Sequence, residues 1–105
     1  EKMVADDRYC IDVLTQIGAA NLANGQVSVT TTATQIVASR ATRRSVTIVN
    51  HGTTDVFIGI ATVTTANGFI LSGVEGAAVT LHVTGVIQGI VAAGSQTVGY
   101  FEEYD

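Results

Sequence analysis

Proline and tryptophan are absent from this 105-residue chain, and cysteine occurs once. Each absence excludes something. The single Cys10 rules out an intrachain disulfide framework and a cysteine-only zinc site. It fits a reducing compartment and, as a small apolar side chain, a buried position. Without proline, no edge strand is protected by that device, so edges must be short, covered or paired to a neighbour. Charge is also scarce. Charged residues make up 13% of the chain, against roughly 25% in ordinary soluble domains. The net charge of -4 argues against nonspecific nucleic-acid binding. Long apolar runs are missing too. The most apolar window, VTGVIQGIVAAG, is broken by Thr84, Gly85, Gln88 and Gly89 and falls short of the roughly 20 residues of a spanning helix. The opening EKMVADDRYCID carries three aspartates and no apolar core of a signal peptide. A chain that is 47% apolar yet offers no span is expected to be soluble and to bury part of its surface against partners.

What is present divides into two regimes. In the first 25 residues Tyr9, Val13, Ile17 and Ala20 recur at helical spacing, Asp6 and Asp7 stand where a helix start favours acids, and Gly18 or Gly25 could end the turn. This predicts an arm or short helix over 1–25. From residue 26 onward the period becomes two. QVSVTTT, QIVAS, SVTIVN, DVFIGI, GFILSG, AAVTLHVT, GVIQGIVAAG and QTVGYFE read as about eight short strands between turn signals. Threonine and valine dominate them, and both suit a pleated, half-buried surface. No crossover helix separates the strands, which excludes a parallel α/β sheet. The expected fold is all-β, an antiparallel β-sandwich or jelly-roll-like barrel over 26–105. Asn24-Gly25 and Asn67-Gly68 read as tight turns. SVTIVNHGTTDVFIGI reads as the central hairpin, with its tip at His51 and Gly59 permitting a bend.

Catalytic groups are few. His51 and Asp55 lie close in sequence, but no nucleophile elbow or oxyanion arrangement accompanies them. His51 is expected to be a solvated turn residue and His82 a surface or interface residue. Asp6, Asp7 and Asp12 lack the spacing and closing glutamate of a calcium loop. GVEGAA matches no phosphate loop, since no lysine follows it. The expectation is therefore no catalytic, cofactor or metal residue, and no enzyme. Arg40, Arg43 and Arg44 form the only basic cluster, either a solvated strand entrance or an anchor for acidic groups on a partner or a second copy. Tyr9 and Tyr104 are further candidate partner contacts.

RRSVTIVNHGTTDVFIG, VTTANGFIL and VIQGIVAAGSQTVGYFEE together resemble a pattern of small virion proteins of tailed bacteriophages, namely head-decoration proteins, head fibres and β-modules of tail fibres. The similarity spans about 43–103 and carries no active-site residue. It implies a structural protein that binds an assembled capsid on the virion surface after assembly in the host cytoplasm. Its partner would be the major capsid protein or another virion protein, its state a homo-oligomer such as a trimer, with neither nucleic acid nor membrane bound. The alternative is a receptor- or carbohydrate-binding module of a head or tail fibre. A small enzyme acting through His51 is the remaining rival.

Overall fold

The computed structural model describes residues 19–105. Eight strands follow one another: β1 (Asn21–Val29), β2 (Thr34–Val37), β3 (Arg43–Asn50), β4 (Val56–Gly59), β5 (Phe69–Leu71), β6 (Ala78–Leu81), β7 (Ile87–Ile90) and β8 (Gln96–Tyr104). They form two four-stranded sheets, ordered β1-β8-β3-β6 and β2-β7-β4-β5, with every pairing antiparallel. The order has a simple origin. β1 pairs with β8, β2 with β7, β3 with β6 and β4 with β5, so the chain is a long hairpin folded at residues 60–68 and rolled into two layers. This is the eight-stranded jelly roll. The all-β sandwich expected from the two-residue period is what the structure contains.

Alternation puts one face of each strand in the core. Val46, Ile48 and Asn50 of β3 point inward, as do Val98 and Glu102 of β8, while Thr47, Val49 and Phe101 lie on the outer face. Val29, Ile36, Val37, Val56, Ile58, Leu71, Ile87 and Val91 complete the packed layer between the sheets. Burial at about 25 cal/mol per Å² makes this layer the main driving force of folding. Its residues are almost all valine and isoleucine, whose branched side chains fill a thin space between pleated sheets.

Three local expectations are corrected. β3 and β4 are not a hairpin: β3 lies in one sheet between β8 and β6, and β4 in the other between β7 and β5. Residues 51–55 carry the chain across the sandwich, because Asn50 is buried and its side chain holds the crossing. Asn24-Gly25 is not a turn, since both residues lie inside β1 opposite Phe101 and Tyr100. Glycine is needed there for close approach, because a Cβ on Gly25 would sit 2.9 Å from the Tyr100 ring. Residues 21–25, assigned above to an arm, are thus the first half of β1. The arm or short helix expected before them lies outside the described residues, as does Tyr9.

Candidate functional site

β8 runs between two polar fastenings of the sandwich. At its C-terminal end Arg43 opens β3 with its side chain fully buried. The Nε group donates to Glu102 Oε2 at 2.7 Å, and Nη1 donates to the carbonyls of Val83 and Gly85, both at 2.9 Å. Nη2 donates to the Ala38 carbonyl. One guanidinium therefore joins the segment after β2, the segment between β6 and β7, and the neighbouring strand β8 of its own sheet. Arg40 reaches the same carboxylate, with its Nη2 2.9 Å from Glu102 Oε1, and lies 3.6 Å over the Tyr104 ring. Burial alone would raise the Glu102 pKa. Hydrogen bonds from Arg43 and Arg40, with their charges, outweigh it and hold the carboxyl below its ordinary range. Arg44 pairs with Asp105 at 2.9 Å near the surface. The carboxylates that the arginine forks meet among the described residues are the chain's own. Arg40, Arg43, Arg44 and Tyr104 form a structural cluster, and a buried Arg43 offers nothing to a partner.

At the other end Asn50, fully buried, plays the matching part with no charge. Its Nδ2 donates to the carbonyls of Thr54 at 2.8 Å and Ser72 at 2.9 Å, and its Oδ1 accepts from the Gly52 amide at 2.9 Å. Its main chain exchanges hydrogen bonds with Ala77 and Gly76. Asp55 accepts from the Gly73 amide at 2.6 Å, and Gln96 accepts from the Thr54 amide at 3.2 Å. Asp55 is thereby engaged in holding a loop, not in orienting His51.

His51 follows Asn50 outside any strand and is exposed, as expected of a turn residue. Its amide donates to the Thr97 carbonyl at 3.1 Å, and its ring lies back against Gly99, where any Cβ would collide with Nε2. The result is a shallow bowl of about 790 Å³ on the outer face of β1, β8 and β3. Cross-strand register arranges its floor: Asn24, Phe101 and Thr47 form one row, and Gln26, Gly99 and Val49 the next. Composition and motif reading missed this site, because it depends on which residues fall opposite one another. The one signal in the sequence was Gly99 inside an otherwise regular strand. A smaller depression of about 250 Å³, lined by Ile60, Phe69 and Val83 among others, opens between the edges of the two sheets. His82 is exposed beyond β6.

No group of three or more histidine, cysteine, aspartate or glutamate side chains among the described residues could hold a metal ion. A family model for metal-sensitive transcriptional repressors matches residues 1–39. No curated protein and no solved structure matches the chain. The family match overturns the virion reading: it points to a DNA-binding regulator, so the capsid partner, the virion location, the fibre-module alternative and the exclusion of nucleic acid do not stand. Fold and motifs misled because RRSVTIVN and VGYFEE are strand patterns with the arginine-carboxylate cluster built in, and such patterns report packing rather than partners. The matched residues include all of β1 and β2. Residues 19–39 of the matched segment are therefore part of the sandwich.

Proposed function

We propose that the chain acts as a non-catalytic, metal-responsive regulator of transcription, with residues 1–39 carrying that role and the jelly roll serving as its body. The observation that carries this reading is the match of that segment to metal-sensitive transcriptional repressors. Two features of the sandwich support the division of labour. All three of its arginines are held in ion pairs, so its surface offers no basic patch for phosphates. The described residues also do not fit a metal ion, and residues 19–39 contain no histidine, cysteine, aspartate or glutamate. Metal and DNA contacts are thus assigned to residues 1–18. That segment holds the thiol of Cys10, the carboxylates of Asp6, Asp7 and Asp12, and the cations Lys2 and Arg8. A thiol among carboxylates suits a borderline or soft divalent ion better than calcium or magnesium.

The test is selection of the full chain against a random duplex library at low salt, with and without Zn(II) or Cu(I). The expected result is an enriched duplex whose binding changes with metal and is lost in Cys10→Ser only as regards the metal response. No enrichment under either condition would overturn the reading.

A further inference from the structure

The bowl on the outer sheet face includes none of the clustered arginines; it draws Leu22, Asn24, Gly25 and Gln26 from the matched segment 1–39, and it has the makings of a ligand site. Its volume falls in the range of small-molecule pockets, and its surface combines apolar area with a few converging polar groups. Leu22 and Phe101 are 63% and 40% exposed there. Each puts a large apolar side chain in the bowl for a ligand to cover. Asn24, opposite Phe101, and Gln26, opposite Gly99, project from the same side of β1 as Leu22. Among the described residues neither amide, nor the His51 imidazole, makes a side-chain hydrogen bond. Each amide offers a donor and an acceptor side by side to a ligand.

We propose that this face binds a neutral, planar nitrogen heterocycle of nucleobase type. Three features select that class. None of the lining residues carries a formal charge, so no counter-ion awaits a phosphate, a carboxylate or an ammonium group. Paired amides match the adjacent donor and acceptor on the edge of such a ring. Phe101, 40% exposed, offers an aromatic face in the bowl on which a flat ring can stack. Gly99 sets the arrangement, because a side chain there would expel His51 from the sheet. This site stands independently of the regulator reading.

The experiment is an amide-resolved NMR titration of the full chain with adenine, adenosine monophosphate and methyl glucoside in separate arms. Adenine should give saturable shifts confined to Gln26, His51, Gly99, Phe101 and their cross-strand neighbours. Phe101→Ala should weaken binding about tenfold, the scale of one lost base-aromatic stack, and Gln26→Ala should weaken it severalfold. Both side chains lie on the outer face, so the variants should keep the wild-type spectrum elsewhere. Absence of saturable shifts at millimolar adenine would overturn the proposal. So would tighter binding of the monophosphate than of adenine, or glucoside shifts at these amides without adenine shifts. Unchanged affinity in both variants would overturn it as well.

Discussion

β8 ends on a buried guanidinium at one pole of the sandwich and begins beside a buried amide at the other. Arg43 and Asn50 do the same job: each is an inward side chain of β3 that captures backbone carbonyls of distant segments. They differ in charge, and the difference sets their dependence on surroundings. Asn50 satisfies itself on three main-chain groups and needs no second side chain. Arg43 must bring a counter-ion inside, and Glu102 in turn recruits Arg40 from the surface. A neutral fastening is self-contained; a charged one spreads into a network that titrates.

The largest expected effect separates the poles most sharply. Arg43→Met should destabilise the domain by about 3–5 kcal/mol in urea denaturation, because Glu102 stays buried with one partner fewer and three carbonyls lose their donor. Asn50→Ala should follow at about 2–4 kcal/mol, the loss of several buried hydrogen bonds with a small cavity. If the order were reversed, the neutral pole would be the principal fastening.

Acid should distinguish them next. The folded pKa of Glu102 lies below its ordinary 4.5, so its stabilisation is complete above that value and is lost as pH falls through the lowered folded value. Asp105, held down mainly by Arg44, acts in the same direction. Glu102→Gln should cost about 1–2 kcal/mol at pH 7 and flatten the acid limb of a stability-pH curve, whereas Asn50→Ala should leave that limb parallel to wild type. An unflattened limb would remove Glu102 from the account. Smallest of all, Arg44→Ala breaks an exposed pair and should leave the thermal midpoint within measurement error.

The same contrast explains what was legible in the chain. Strand positions were, because turn signals bound each run of β-branched residues, and in SVTIVN the buried Val46 and Ile48 alternate with Thr47 and Val49. Sheet membership was not. SVTIVN and DVFIGI look like hairpin partners until the Asn50 side chain turns the chain between layers, and an asparagine at a strand end looks the same in either role. The arginine cluster was visible in the sequence, but the carboxylates it meets were not. Its partner, Glu102, lies 59 residues from Arg43, beyond any local pattern, so an internal network passed for an anchor. The bowl was invisible for a related reason: Gln26, Gly99 and Val49 meet only through register.

The regulator reading places the DNA contact on Lys2 and Arg8 and not on the paired arginines of the sandwich. Fluorescence anisotropy of a selected duplex tests this directly, comparing the full chain with its Lys2→Ala/Arg8→Ala and Arg40→Ala/Arg44→Ala variants across a salt series. The account predicts that the first pair abolishes most of the affinity, removing a slope of about 2 in log K against log salt per chain, while the second binds as wild type. Loss of binding in the second pair alone, or no binding by the unaltered chain, would contradict it.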